Sequence, residues 1–331
     1  IRGQVVLRSL GIGKIPVVNV ENACGSGSTA LHEACALVSA GCYETVLVLG
    51  VEKLYHADRT RVAAAFAGAI DVEAARAAAS GSGATDRTAV FMDLYAEHAR
   101  AHMARYGTTV EHFAAVSAKN SFHGSLNPRA QFRDVLSVED VLAEPMIASP
   151  LTRAMCSPIG DGAAAVVVVS EARARQLGVQ RPVRVLTSVL RSGWDGVGAG
   201  DSVSALCARE AFEQAGVGPQ DLDVIECHDA SAPSELMMYE SLGLCAPGEG
   251  GSLVSSGATR LGGRVPVNPS GGLLRKGHPL GATGVAQIVE LTEQLQQRCG
   301  PRQVEGAALA LAHNGGGMLA GDAAAMCVTI L

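Results

Sequence analysis

The stretch Ile15-Pro16-Val17-Val18-Asn19-Val20-Glu21-Asn22-Ala23-Cys24-Gly25-Ser26-Gly27-Ser28 sets an apolar run against a tight Gly/Ser turn. A long Ala/Leu-rich segment follows. This order predicts a strand at 15–20, a turn, and a helix running to about Ala40 with Cys24 in its first turn. A thiol placed there faces unpaired backbone N–H groups and the positive end of the helix dipole. Both favour the thiolate, which is the nucleophilic form. A buried core cysteine is the alternative reading of the same residues.

The rest of the chain bounds the class of protein. With 331 residues and 48% hydrophobic content, it can bury a large core as one big domain or two closely packed ones. Aromatic residues make up only 4%, so the core is expected to consist of small side chains. The net charge of −6 and the lack of any Lys/Arg-rich run argue against a nucleic-acid surface. No apolar stretch reaches transmembrane length, and Ile1–Val6 lacks the pattern of a signal peptide. Nine cysteines with no C-x-x-C pair argue against a disulfide framework and a zinc site. A reducing, cytoplasmic location is expected.

Beyond Ala40 the pattern continues with a strand at 45–50. Residues 62–88 are Ala/Gly/Ser-rich without a clear period and read as a loop or short helix. Helices are predicted at 89–106 and 109–121, and a capped short helix after Ser137. The run at 162–169 reads as a strand buried on both faces. The second half repeats the opening plan. It has strands at 182–186 and 222–227, helices at 203–215 and 233–242, and a helix entered at Gly277-His278-Pro279 that runs to about Gln297. Strands at 307–312 and 325–331 close the chain. Strand, Gly-rich turn and Ala-rich helix thus recur after Val20 and after Ser270, which indicates a duplicated α/β protein whose halves each supply one helix N-terminus to a shared site. The first half lacks a strand–helix–strand unit of about 60 residues that the second half carries.

Three further stretches join Cys24. Gly277-His278-Pro279 follows the dense Asn268-Pro269-Ser270-Gly271-Gly272 loop, His228-Asp229 ends the strand before it, and His313-Asn314-Gly315-Gly316-Gly317 is expected to end another. Each histidine alone is as readily structural. Together with Cys24 they place one thiol and three imidazoles at strand or helix ends, where α/β proteins contact ligands. His32, His56, His98, His102 and His112 read as solvated. His98 and His102 have metal-pair spacing but no third ligand. His123 is a candidate lining residue for a pocket.

These motifs, with Glu235-Leu236-Met237-Met238-Tyr239-Glu240, resemble the thiolase superfamily, and within it the sterol carrier protein 2-type branch. The resemblance runs through the whole chain. It implies a five-layered αβαβα fold of two duplicated halves, one at 1–50 and 155–180 and the other at 181–331, with a loop domain inserted at 51–154. It implies a homodimer acting on acyl-CoA thioesters, with coenzyme A as substrate and no permanently bound cofactor or metal. Cys24 would become acylated, and His278 would activate it. His228 would hold an oxyanion-hole water. The N–H groups of Cys24 and Gly315, with His278, would stabilise oxyanions, each such donor being typically worth about 3 kcal/mol. Ser270, Gly271 and Gly272 would form a CoA-binding loop, with Arg129, Arg133 or Arg153 near the pyrophosphate. Related branches work with a small zinc-ribbon/OB-fold acyl-CoA-binding subunit, which makes such a partner a candidate here.

One departure stands out. Degradative members carry a second, acid/base cysteine, and the two positions available for it here hold His313 and Ala230. Histidine can shuttle the proton in its place, which makes His313 the candidate acid/base. The leading expectation that the resemblance implies is a β-ketoacyl-CoA thiolase that cleaves or forms a 3-oxoacyl thioester through an acyl-Cys24 intermediate. The alternatives are a thiolase-like condensing enzyme or C-acyltransferase, a thiolase-fold aldolase, and a non-catalytic subunit.

Overall fold

The computed structural model describes residues 1–71, 73, 89–193, 202–319 and 321–331. In chain order the elements are α1 (Arg2–Ser9), α2 (Ser26–Ser39), β1 (Thr45–Glu52), α3 (Arg59–Ala67), α4 (Ala89–Tyr106), α5 (Val110–Ser125), α6 (Val138–Ala143), β2 (Met146–Ala148), β3 (Leu151–Thr152), β4 (Gly162–Val169) and α7 (Glu171–Gln176). They continue with β5 (Thr187–Ser192), α8 (Val203–Ala215), β6 (Val224–Glu226), α9 (Ala232–Ser241), α10 (Gly250–Ser255), α11 (Gly272–Arg275), α12 (Leu280–Leu295), β7 (Ala310–Leu319) and β8 (Asp322–Ile330).

Two helices form the centre. α2 and α12 lie against each other, with the antiparallel pair β1–β4 on one side and the sheet β5-β8-β7-β6 on the other. α8 covers the far face of the larger sheet. The close helix crossing depends on small residues. A Cβ on Gly284 of α12 would come within 2.0 Å of Ser28 Oγ, and one on Gly27 of α2 within 3.0 Å of the Gly281 carbonyl. The Ala/Gly richness of both helices is therefore a packing requirement, since side chains any larger would push the two N-termini apart.

Several elements depart from the sequence-based expectation. Residues 15–20 form no strand, a bend falling at Ile15 and no regular structure at 16–20, and Ile15 and Val18 are exposed. A β-branched run becomes a strand only where a neighbour supplies its hydrogen bonds. The strand expected at 182–186 starts instead at Thr187, because Pro182 has no N–H to pair and Arg181 sits at φ 55°. Pairing with β8 begins at the Leu186 N–H. β4 is covered on one face only. Val166 and Val168 pair with Val48 and Val46 toward α12, while Val167 opposite Leu47 is exposed on the other side. α3 occupies the start of the 62–88 segment, and 72 and 74–88 lie outside the described residues. Finally β7 does not stop at Ala312. It runs through His313 and the three glycines to Leu319, as one arm of a hairpin with β8.

The segment between β1 and β4 packs on the second half. α5 lies against α9, α10 and α11, and buries Lys119 and Asn120 beside Glu235. Lys119 Nζ is 2.6 Å from Glu235 Oε1, and Asn120 Nδ2 donates to both Glu235 and Asp229. This ionic and amide network stands directly behind the strand end that carries His228.

Candidate active site

Cys24 sits in a 3-10 turn, Ala23–Gly25, that leads into α2. The residue before it, Ala23, has φ 49°, a left-handed conformation that costs about 1 kcal/mol or more for a residue with a Cβ. Four short hydrogen bonds hold the turn. Ala23 N–H donates to Glu21 Oε1 (2.7 Å), Asn22 N–H to Ser26 Oγ (2.9 Å), Ser26 Oγ to the Ala23 carbonyl (2.7 Å) and Asn22 Nδ2 to Thr29 Oγ1 (2.9 Å). Gly316 of β7 completes the fit, since a Cβ there would lie 1.9 Å from the Asn22 carbonyl.

Cys24 Sγ and one ring nitrogen each of His228 and His278 all lie within 4.8 Å of one another. The two imidazoles meet nearly at right angles, with centroids 5.1 Å apart. His278 precedes α12, and its Nδ1 lies 2.8 Å from Thr283 Oγ1. The threonine hydroxyl donates its own hydrogen to the Pro279 carbonyl, so its oxygen accepts from the imidazole. His278 Nε2 is left without a hydrogen, buried, and with no hydrogen-bond partner. It is a proton acceptor aimed into the site.

The electrostatics correct one expectation. Burial pushes the Cys24 thiol up to about 12, outweighing the N–H groups of Cys24 and Gly317 that favour the thiolate, and Glu52 and Glu21 push the same way. Burial together with the Lys276 charge pulls His278 down to about 3. The resting pair is therefore neutral thiol and neutral imidazole. The helix N-terminus does not by itself produce a thiolate here, because desolvation of the sulfur is the larger effect.

His313 is not brought to the thiol. Successive side chains of a strand face opposite ways. On β7 the imidazole of His313 turns to α8, where its Nε2 lies 3.1 Å from Ser204 Oγ, and its Nδ1 accepts the His228 backbone N–H at 3.4 Å. Both ring nitrogens are engaged, and burial holds the ring at about 4. Asn314, one residue on, faces Cys24's side of the sheet. Its Nδ2 lies 2.9 Å from His228 Nδ1 and its Oδ1 accepts from Ser28 Oγ of α2 at 3.0 Å. Gly315 pairs with Met326 in the hairpin, and the glycine N–H that acts on Cys24 is that of Gly317.

The expected CoA loop is also spent internally. Ser270 is fully buried, with its N–H and Oγ donating to Glu226. Gly271 (φ 97°) and Gly272 (φ 60°) are glycines because Gly124 and Asp229 stand where a Cβ would go. Arg129 pairs with Glu293 and Arg153 with Glu144, while Arg133 is exposed. His102, read as solvated, is buried between Glu240 and Thr108. His123 is buried with both nitrogens bonded to backbone, at Asn268 O and Leu261 N–H. The other cluster of metal-type donors among the described residues, Glu290, Glu293 and Cys299, is filled by the Arg302 guanidinium. Sequence reasoning missed Thr283, Asn314 and Lys276. Asn314 follows from strand alternation only once β7 is known to run through residue 313, which pairing with β8 decides.

The thiolase N-terminal domain model matches residues 3–172, and the thiolase C-terminal domain-like model matches residues 201–329. The chain belongs to the thiolase family. It is 38% identical to benzoylsuccinyl-CoA thiolase subunit BbsB of Thauera aromatica, over 92% of this chain and 77% of that one. It is 41% identical to an acetyl-CoA acetyltransferase of Methanothermobacter thermautotrophicus, over 93% and 78%. Human sterol carrier protein 2 is 39% identical over 94% of this chain, which spans only 58% of that protein's length. Among solved structures, the Ltp2-ChsH2(DUF35) aldolase superposes with a TM-score of 0.78 at 25% identity, covering 98% of this chain and 82% of that one. This thiolase is thus of the α/β thiolase fold and of the branch that includes sterol carrier protein 2. No helix among its described residues is long and apolar enough to cross a membrane.

Proposed function

We propose that this thiolase is a CoA-dependent acyltransferase that cleaves or forms 3-oxoacyl-CoA through an acyl-Cys24 intermediate. The observation that carries the reading is a His278 ring nitrogen within 4.8 Å of the Cys24 sulfur, together with a buried Nε2 on the same ring that has no hydrogen-bond partner. In the cleavage direction, Nε2 takes the thiol proton as sulfur attacks the 3-oxo carbon. The developing alkoxide is met by backbone N–H donors at Cys24 and Gly317. The C2–C3 bond then breaks, leaving the shortened acyl group on Cys24, and the imidazolium gives its proton to the departing enolate carbon, releasing the C1–C2 fragment as its own CoA thioester. The same nitrogen accepts the proton of an incoming CoA thiol. That sulfur attacks the acyl-Cys24 thioester, and the proton returns to Cys24 as the new acyl-CoA leaves. One base serves every step, because His313 is committed elsewhere.

This reading divides the chain into halves at 1–50 with 155–180 and at 181–331, and an inserted domain at 51–154. It describes a cytoplasmic homodimer with an acyl-CoA-binding partner subunit. The names of two relatives support the partner, one being a subunit and the other a two-component aldolase.

The test is mass spectrometry after incubation with acyl-CoA, paired with a CoA-dependent cleavage assay. An acyl adduct on the Cys24 peptide, absent from Cys24→Ala and slowed in His278→Ala, is expected. The second reading is an aldolase of the thiolase fold, favoured by the absence of a cysteine at both His313 and Ala230. Undiminished carbon–carbon cleavage by Cys24→Ala would establish it and reject the first.

A further inference from the structure

The two imidazoles beside Cys24 are held by different kinds of partner, and the difference has a chemical consequence. His278 gives its Nδ1 hydrogen to Thr283 and presents a bare Nε2. His228 meets the amide of Asn314, whose Nδ2 lies 2.9 Å from its Nδ1. An amide can turn either end to a neighbour, so the outcome depends on what fixes Asn314. Its Oδ1 is 3.0 Å from Ser28 Oγ, which donates to it. The residue is 1% exposed, which leaves solvent little room to compete for either end. Gly284 closes the remaining side, since a Cβ there would stand 2.9 Å from Oδ1 and 2.0 Å from Ser28 Oγ. With the oxygen committed to Ser28, the amide nitrogen is turned to His228 and donates to Nδ1. A neutral imidazole that accepts at Nδ1 carries its hydrogen at Nε2.

We propose that Asn314, oriented by Ser28, is a positioning residue that holds His228 as the Nε2–H tautomer, so that the site offers one imidazole donor beside one imidazole acceptor. Ser28 lies in the first turn of α2, four residues after Cys24, so the helix that follows directly on the nucleophile's turn sets the polarity of the facing histidine. His313 steadies the same residue from the opposite face of β7 by accepting the His228 backbone N–H. The catalytic use of this donor rests on the acyl-Cys24 reading, where it would meet the oxygen of the thioester or of the enolate. The tautomer itself does not depend on that reading and is measurable in the free protein.

The test is a long-range proton–nitrogen NMR spectrum of protein labelled with 15N-histidine, with His228 assigned by its loss in His228→Gln. The expected wild-type pattern is a pyridine-type Nδ1 and a pyrrole-type Nε2. Asn314→Asp places a buried acceptor at Nδ1 and is expected to reverse the pattern. Ser28→Ala frees the amide to turn and is expected to give a mixture of both tautomers. With turnover established, Asn314→Asp is expected to lower kcat about 10- to 100-fold with little change in KM, the size of one misdirected hydrogen bond in the transition state. A wild-type spectrum with the hydrogen on Nδ1 overturns the proposal without any variant having to fold. An unchanged tautomer in Asn314→Asp or Ser28→Ala also overturns it. A reversed tautomer with unchanged kcat removes the catalytic consequence. Absence of any acyl adduct on Cys24 bears on the proposed function alone.

Discussion

Thr283 Oγ1 accepts the Nδ1 hydrogen of His278 at 2.8 Å while giving its own hydrogen to the Pro279 carbonyl at 3.1 Å. The relay stays within one turn at the start of α12, so the helix that positions the imidazole also decides which of its nitrogens is bare. Thr283→Val keeps the shape and removes the acceptor, which leaves a buried N–H unsatisfied at a cost of about 1–3 kcal/mol. Where that cost falls on the reacting tautomer, kcat is expected to drop about 10- to 100-fold. Thr283→Ser, which keeps the hydroxyl, is expected to restore most of the rate. Steady-state kinetics of the two variants check this, and equal losses in both would show that packing rather than the hydroxyl matters.

The second prediction concerns the resting nucleophile. With burial holding the Cys24 thiol near 12 and His278 near 3, the neutral pair lies below the thiolate–imidazolium pair. Proton transfer must therefore accompany attack on the substrate. In the free protein, alkylation of Cys24 by iodoacetamide should be slow at pH 7 and climb about tenfold per pH unit to beyond pH 10. Following the Cys24 peptide by mass spectrometry separates it from the other cysteines. A plateau near neutral pH would instead reveal a preformed ion pair.

How much of this was legible in the sequence follows from the range of the interactions involved. The α2 helix, the Val203–Ala215 helix with its Gly216 cap, and the entry to α12 through Gly277-His278-Pro279 are local features that the local sequence places to within about two residues, although α2 begins at Ser26 and leaves Cys24 in the turn before it. The strand ends are not local. β7 continues past Ala312 because β8 is there to pair with it, and nothing within residues 307–317 states that. That one extension decides the fate of His313. Read as a strand end, it is free to reach the thiol, whereas inside the strand it alternates away and Asn314 takes its place. The Ser270-Gly271-Gly272 glycines show the same limit. Dense glycine signals close approach, and the atoms that approach, those of Gly124 and Asp229, come from distant parts of the chain.

Glu226 provides a prediction on stability. It is fully buried beside Ser270, and burial raises its carboxyl to about 7 from an ordinary value near 4.5, with Lys276 opposing and Glu290 adding to the shift. The folded state thus binds a proton more tightly than the unfolded chain. The associated stability is complete below about pH 4.5 and is lost as the pH rises to about 7. Glu226→Gln removes the ionisation while keeping the shape. It is expected to melt at a higher temperature than the wild type at pH 8, by an amount on the order of 1–3 kcal/mol in stability. The difference should shrink toward pH 5. Thermal melts of both proteins at the two pH values decide it, and a constant difference would mean that ionisation of Glu226 is not the cause.

The last prediction separates a structural from a chemical role for His313. Its two nitrogens bind the His228 N–H and Ser204 Oγ, and its ring is turned to α8 rather than to Cys24. Replacing it should loosen the strand end that carries His228, through loss of two buried hydrogen bonds at about 1 kcal/mol each. His313→Gln, close in volume, is expected to lower the melting temperature while keeping kcat within about tenfold of wild type. General acid–base catalysis is typically worth about 10²- to 10⁴-fold, so a residue with that task could not be lost so cheaply. The pH profile adds an independent reading. Burial already holds the His313 ring near 4, and its loss should leave the kcat profile above pH 6 unchanged in shape. A hundredfold fall in kcat with the melting temperature preserved, or the disappearance of one limb of the profile, would return the proton to His313. His278 would then be left with the thiol alone.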